Sequence, residues 1–538
     1  MINISKKKDC CGCNACGDVC PKHSITFKID KEGFWYPEVE MDTCIDCHLC
    51  EKVCPLLNKE EYKNIDGYVK PKTYALVHKN IEVRFDSTSG GAFTALAEEV
   101  YKQGGFVGGA IYNEDWSVSQ FLSSSKNDLP KLRSSKYLQS HFDGFYKSVK
   151  EALKTEKPVL VCGSPCQMAA MFRYLKKPYE NLIIVDYICR GIASPMYFRK
   201  WINYLENKHN SKVIFYKAKS KELGWRKLST RIEYANGEAD VIAGHDNPWL
   251  MMQYKVPEIC RPSCFECSFK GFPRTSDITM GDLWAKKGSI PQNLDGDLGT
   301  SIVFANNAKG EAFLSRCFKK VEYKEFPFET AVKGNFHLEN AVRHSSYDRE
   351  TFFQDLNESF EECIDKYIPE FNHQQYSVKS KTKNFLKFVW KISSASGWSI
   401  STWRKNLWYN IFSSKVKTSI FKGHYFIIEK NCTIQINSKG RLILDSALYF
   451  GTKKVKGSIL DSRLLIESGG IMRIYGGDYS ISYGADIEVF RNALLEIGGG
   501  VGANIGLTIV CGDKIKIGKN SGCGRNVTIR DNNGGHAI

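Results

Sequence analysis

Apolar and polar positions alternate in different ways along this chain. Residues 72 to about 335 mix amphipathic helical segments with short, continuous apolar runs. GAFTALAEEVYKQG has the spacing of a helix with one buried stripe, and GFVGGAIY after it that of a strand. PVLVCGSPCQMAAMFRYL predicts a buried strand, a turn and a helix, and NLIIVDYICRG another buried strand. Continuous apolar strands between helices predict an α/β domain with a largely parallel or mixed sheet. Earlier, SITFKIDKEGFWYPEVEMDT predicts a short hairpin with KEG at its turn. Residues 336–423 read as a helical basic connector. From about residue 424, strand-formers, Gly and Asn rise and Pro disappears. A six-residue period then emerges: Ile497, Ala503, Ile509, Ile515, Ser521 and Val527 form one ladder, and Ile505, Cys511, Ile517, Cys523 and Ile529 a second. That periodicity predicts a β-helix.

Composition narrows the class. A chain of 538 residues is long enough for several cored domains. Its formal net charge of +16 favours anionic small molecules, acidic proteins or anionic lipid without selecting among them. No apolar run reaches the ~18 residues of a membrane span. The start MINISKKKDCC lacks the apolar core of a secretory signal, so a cytoplasmic location is expected. The 20 cysteines should then be thiols, and clusters of them metal ligands.

Two clusters stand out. Cys10, Cys13, Cys16 and Cys20 precede Pro21, and Cys44, Cys47, Cys50 and Cys54 repeat the spacing before Pro55. Closely spaced thiolates wrap one 4Fe-4S cluster, while the Cys before Pro reaches the cluster of the other repeat. The expected sets are Cys10, Cys13, Cys16 and Cys54, and Cys44, Cys47, Cys50 and Cys20; Cys11 is left over as a free thiol. Structural zinc sites more often show two separated Cys pairs. Residues 1–60 resemble a bacterial-type dicluster ferredoxin domain, which implies two 4Fe-4S clusters.

The middle of the chain carries further candidates. Ser89, Gly90 and Gly91 precede a helix, where free N–H groups suit a phosphate or merely start the helix. Lys136, in SSKYLQS, is either an anion contact or part of a solvated face. Cys162 and Cys166 sit at the end of a buried strand, the edge at which open α/β sheets bind ligands, or are small buried hydrophobes. Cys260, Cys264 and Cys267 need a fourth ligand, with Cys189 first and Cys166 second; three ligands leave zinc or a cluster open.

RFDSTSGGAFTAL, SSKYLQS, VLVCGSPCQMAAM, DYICRGIASPMYF, CRPSCFECSF, SDITMGDLW and GDLGTSIVFANNAKG occur in that order. Together, over residues 72–335, they resemble the family of coenzyme F420 hydrogenase/dehydrogenase beta subunits. The resemblance implies an iron–sulfur flavoprotein in which FAD lies between the clusters and a hydride carrier or organic substrate. Carried over by position, the flavin or substrate pocket would draw on Ser89, Gly90, Gly91, Ser135, Lys136, Gly163 and Pro165. Cys189, Cys260, Cys264 and Cys267 would hold a third 4Fe-4S cluster.

Residues 371–428 contain ten Lys or Arg and no Asp or Glu, with Trp390, Trp398, Trp403 and Trp408 among them. Such a segment (residues 384–412) can make a peripheral membrane contact, but the Ser and Gly interruptions favour a connector whose aromatics pack on neighbouring domains. Nucleic-acid binding is not expected, since no recognition module accompanies the charge. CGDKIKIGKNSGCGRNVTI resembles the hexapeptide-repeat acyltransferase family, which implies a partial left-handed parallel β-helix over residues 424–538. By that resemblance His536 would be the catalytic base, acyl-CoA the donor and a homotrimer the assembly.

The expected function is therefore redox catalysis, passing electrons between 4Fe-4S clusters and FAD to or from an organic substrate or an F420-like carrier. The alternatives are a bifunctional enzyme that also transfers an acyl group to a sugar, and a non-catalytic electron-transfer subunit serving a redox partner protein.

Overall fold

A computed structural model describes residues 1–284, 290, 293–294, 297–369, 371, 378–453 and 460–531, the side chains of residues 63–64, 378–381 and 383 excepted. The chain forms two compact units, Met1–Pro369 and Glu370–Ile538.

In the first unit the cysteine repeat becomes a structural repeat. Helices Ala15–Val19 and Leu49–Val53 pack on each other, and each starts from a left-handed residue, Asn14 or His48. Between them, β1 (Ile25–Ile29) and β2 (Trp35–Val39) form the expected antiparallel hairpin.

Next come β3 (Lys72–His78), β4 (Phe106–Tyr112), β5 (Val118–Ser123), β6 (Ser140–His141), β7 (Val159–Gly163) and β8 (Leu182–Tyr187). A separate antiparallel sheet holds β9 (Val213–Ser220), β10 (Ser229–Tyr234) and β11 (Ala239–Ile242). The chain then returns through β12 (Ile278–Asp282), β13 (Ser301–Ala305) and β14 (Val321–Glu325). The main sheet is mixed, nine-stranded, and ordered β14-β3-β13-β12-β8-β7-β4-β5-β6. Its central strands β4, β7, β8 and β12 run parallel, so the loops after them emerge at one edge. The apolar runs are buried on both faces: Val159, Leu160 and Val161 of β7 are fully covered, as are Ile302 to Ala305 of β13. The sequence boundary at 336 needs correction. Helices Arg349–Glu358 and Phe360–Tyr367 belong to the first unit, because Phe352, Phe353, Phe360 and Tyr367 bury their rings there, with Phe360 against Tyr197 and Trp201.

The second unit opens with helices Val378–Ser396 and Ile400–Leu407 and a π-helical turn, Trp408–Phe412. Three all-parallel sheets follow. One contains β15 (Val416–Lys417), β18 (Arg441–Leu444), β21 (Ile471–Tyr475), β24 (Leu494–Gly498) and β27 (Lys514–Ile517). The second contains β16 (Phe426–Ile428), β19 (Leu448–Thr452), β22 (Tyr479–Ser482) and β25 (Gly502–Ala503). The third contains β17 (Cys432–Ile436), β20 (Ser462–Ile466), β23 (Asp486–Val489), β26 (Thr508–Cys511) and β28 (Thr528–Arg530). Each turn of chain visits the three sheets once, a pattern that fits a parallel β-helix. The turns are longer than hexapeptides predict. Leu494 pairs with Lys514 and Thr508 with Thr528, an advance of 20 residues, and Cys432 pairs with Ser462, an advance of 30. Ile497 therefore stacks on Ile517 and Ile509 on Ile529, so the two six-residue ladders merge into one core.

A stack of parallel strands leaves a raw edge at its start, with unpaired N–H and C=O groups. Here the helical segment closes it. Asn406 accepts from the Ile428 N–H (2.8 Å) and donates to the Ile428 carbonyl (2.8 Å). One turn later Asn410 does the same for Phe426 (2.7 and 2.6 Å). Two side-chain amides thus replace a neighbouring strand. Lys405, Tyr409 and Lys415 donate to the carbonyls of Cys432, Ile434 and Ile436 along β17, and β15 pairs with β18. Replacing Asn406 with Ala strands a buried N–H and C=O, which costs about 1–3 kcal/mol. The Asn406→Ala/Asn410→Ala chain should lose at least that stability in urea unfolding of the C-terminal unit. An unchanged midpoint would contradict the cap.

Candidate iron–sulfur and anion sites

The cysteines of the two runs gather in two neighbourhoods of the first unit. Cys20 joins Cys44, Cys47 and Cys50 around a small cavity. Backbone N–H groups point at two of these sulfurs, Ser24 at Cys20 (3.3 Å) and Ile2 at Cys50 (3.2 Å). Around the other set, burial raises the Cys16 thiol well above its usual pKa, and Cys13, Cys10, Cys54 and Cys50 raise it further. Burial likewise pushes Cys54 up to about 12, followed by Cys13. Thiols held neutral by apolar surroundings are thiols waiting for a cation to share their charge. Cys47 is exposed, so its set lies at the surface, while Cys13 is buried against the main domain.

Arg261 joins this module to the sheet domain. Its guanidinium is buried and donates to the carbonyls of Cys10 (2.7 Å) and Trp35 (2.9 Å) and to Gln139 Oε1 (2.9 Å). One face lies over the Tyr36 ring at 4.2 Å. Burial alone would lower its pKa, yet Cys10 and Tyr36 lift it above the usual value. All three acceptors are neutral, so the charge of this buried cation fits an anionic cluster beside Cys10. Asp18 reinforces the joint by accepting from the Gly144 and Tyr146 N–H groups, and Tyr146 donates to the Cys13 carbonyl at 2.7 Å.

A second small thiol-lined cavity opens beside the parallel-strand edge. Cys189, Cys264 and Cys267 line it, and so do Cys166 and Cys11. Both fourth-ligand candidates therefore face it. Cys260 sits just behind, where a Cβ on Gly191 would lie 2.9 Å from its sulfur. Cys11, expected to be a free thiol, lines the same cavity as Cys166. Among the described residues no three His, Cys, Asp or Glu side chains converge tightly enough to hold a single ion. The thiols are instead spread around the cavity wall.

The residues expected to hold flavin gather at the same edge. Ser135 N–H donates to Thr88, next to Ser89. Ser89 donates to the Thr300 carbonyl and Gly90 N–H to Ser301 (2.9 Å), so that N–H is spent within the fold. Gly90 is required for close packing instead, since a Cβ there would sit 2.3 Å from the Leu76 carbonyl. Gly163 ends β7, and Pro165 begins the helix that follows. Lys136 is no solvated surface residue. It donates to the carbonyls of Lys131 and Arg133, and burial pulls its pKa down to about 7. Sequence reasoning missed its companions Lys217, Lys219 and Lys221, although alternating lysines in FYKAKSKEL signal one charged strand face. Lys217 pairs with Asp86 (2.6 Å) and Lys219 with Asp282 (2.8 Å), while Lys221 donates to the carbonyls of Arg84 and Ser89. Burial, then Lys217, lowers Lys221 to about 7. With Arg133 also on Asp86, cations outnumber carboxylates here, which suits a bound anion. His536 lies outside the described residues.

The lowered lysines predict a pH dependence. Between about 7 in the folded chain and about 10.4 unfolded, only the unfolded state carries these protons. Stability should therefore fall as pH drops from 10 toward 7 and level off below 7. Lys136→Met should flatten part of that slope in urea unfolding. A slope unchanged by the substitution would contradict the burial of this amine.

Comparison with known proteins agrees with this geometry. Residues 9–57 match the 4Fe-4S dicluster domain. Residues 156–330 match the family described as the C terminus of the coenzyme F420 hydrogenase/dehydrogenase beta subunit. An uncharacterised protein of Methanocaldococcus jannaschii is 24% identical over 344 residues, 57% of this chain and 86% of that protein. One subunit of the F(420)H(2) dehydrogenase of Methanosarcina mazei is 22% identical over 188 residues, 33% of this chain and 51% of that protein; this chain thus spans about half of it. A chain in the xenon-derivatised F420-reducing NiFe hydrogenase complex from Methanosarcina barkeri aligns over 52% of this chain and 99% of its own length, with 17% identity and a TM-score of 0.33. The chain is thus similar to a 4Fe-4S dicluster domain over residues 9–57 and to the C-terminal part of F420 hydrogenase/dehydrogenase beta subunits over residues 156–330.

Proposed function

We propose that the chain is an iron–sulfur flavoprotein that moves electrons between a redox partner and an organic substrate or F420-like carrier. The observation that carries this is the grouping of both crossed cysteine sets, the second thiol-lined cavity and the basic sheet edge in one compact unit. Bound 4Fe-4S clusters would exchange single electrons and a bound flavin hydride, chemistry that belongs to the cofactors. The chain's residues supply position and charge. Cys20, Cys44, Cys47 and Cys50 present one site at the surface, and Cys10, Cys13, Cys16 and Cys54 hold the inner one. Cys189, Cys264 and Cys267, with Cys166 or Cys260, suit a third cluster better than a single zinc ion, because their sulfurs ring a cavity. Lys136 and Lys221 would answer a flavin pyrophosphate, with Ser135 and Gly163 beside it.

A second reading, a non-catalytic electron-transfer subunit, is supported by the similarity to one component of a dehydrogenase and by the exposed Cys47. Turnover that depends on a co-purifying partner would favour it. For the C-terminal unit, the stacked parallel strands fit a parallel β-helix, and a left-handed hexapeptide-type form rests on the sequence resemblance. Acyl transfer from acyl-CoA through His536 and a homotrimer rest on the sequence resemblance alone.

Anaerobic purification with iron, sulfide and flavin analysis tests the leading reading. About twelve irons and one FAD per chain are expected for three clusters and a flavin. About eight irons, zinc and no flavin would overturn the flavoenzyme and leave a ferredoxin wire.

A further inference from the structure

The helical segment that caps the β-helix also turns an unusual face to solvent. On Val378–Ser396 the buried stripe is Phe388, Ile392 and Ala395, packed on Tyr425 and Ile427. On Ile400–Leu407 and the turn after it, Thr402, Asn406 and Asn410 point inward. The sequence pattern predicts tryptophans packed on neighbours, and the structure differs. Only Trp403 is half-buried; Trp390 is 63% exposed, Trp408 57% and Trp398, at the tip between the helices, 102%. Leu386, Ile400, Ile411 and Phe412 are also more than half exposed. Helical spacing puts Leu386 and Trp390 opposite the buried stripe, and Trp408 opposite Asn406. Water-exposed apolar area of this extent is rare on a soluble monomer and marks an interaction surface.

The charge identifies the partner. Residues 371–428 contain ten Lys or Arg and no Asp or Glu, and Lys387, Arg404 and Lys422 are exposed beside the apolar side chains. Indole rings with flanking cations suit the headgroup layer of an anionic bilayer, where the ring is half wet and the cation meets phosphate. No helix among the described residues is long and apolar enough to cross a membrane, so the segment would lie on the surface. We propose that the outer side of residues 385–412 is a docking surface for an anionic lipid bilayer. It holds independently of the redox reading, since none of the cysteine or lysine sites contributes to it.

The test is co-sedimentation of the full chain with phosphatidylcholine vesicles, with and without phosphatidylglycerol. Binding should require phosphatidylglycerol and weaken as salt rises. The Trp390→Ser/Trp398→Ser/Trp408→Ser chain should bind roughly tenfold or more weakly. Lys387→Glu/Arg404→Glu should lose the lipid selectivity, with unfolding midpoints of both variants unchanged because every altered side chain is exposed. Absence of lipid binding, or equal binding by the tryptophan variant, would overturn the proposal. So would a wild-type dimer that the tryptophan variant dissolves, which would assign the face to a second copy.

Discussion

The first unit depends on one buried cation. Removing a guanidinium from water is expensive unless hydrogen bonds and an opposite charge replace the lost hydration. Arg261 has the hydrogen bonds, to Cys10, Trp35 and Gln139, but all three acceptors are neutral. Its remaining compensation is the Tyr36 ring and the sulfurs of the first cysteine run. The ferredoxin module and the sheet domain thus share a buried cation whose hydrogen bonds need both in place, and whose charge an anionic cluster beside Cys10 would offset. Metal binding would then favour domain docking.

That joint also sets what the sheet edge can do. Arg261 follows Cys260, and Gln139 follows SSKYL, so the contact to Cys10 aligns the second thiol cavity and the lysine cluster with the inner cysteine set. Cys11 and Cys166 line the same cavity. The loops after the parallel strands β7 and β8 carry Cys166 and Cys189 to one edge, the usual place for ligands in such sheets.

Local patterns make much of this legible. The dicluster character of the N-terminal segment follows from cysteine spacing, and the strands at Val159–Gly163 and Leu182–Tyr187 from apolar runs. What stays hidden depends on distant pairing. Nothing in CRPSC says that its Arg meets Cys10, and nothing near the basic connector says that Asn406 and Asn410 substitute for a strand. The turn length of the C-terminal stack also escapes the pattern. A six-residue period constrains which side chains face inward, whereas corner residues decide how far each turn advances. The alternating lysines of β9 are visible in the sequence but carry no signal of burial, because a charged strand face ordinarily points to water.

The claim that Arg261 offsets cluster charge is tested most directly by an EPR-monitored redox titration of the anaerobically loaded chain beside Arg261→Gln. Removing a buried positive charge disfavours the more negative, reduced state. The account predicts that one cluster signal, the inner one, becomes harder to reduce while the surface cluster held by Cys20, Cys44, Cys47 and Cys50 keeps its potential. Identical potentials for both clusters in the two chains, at equal iron content, would contradict it.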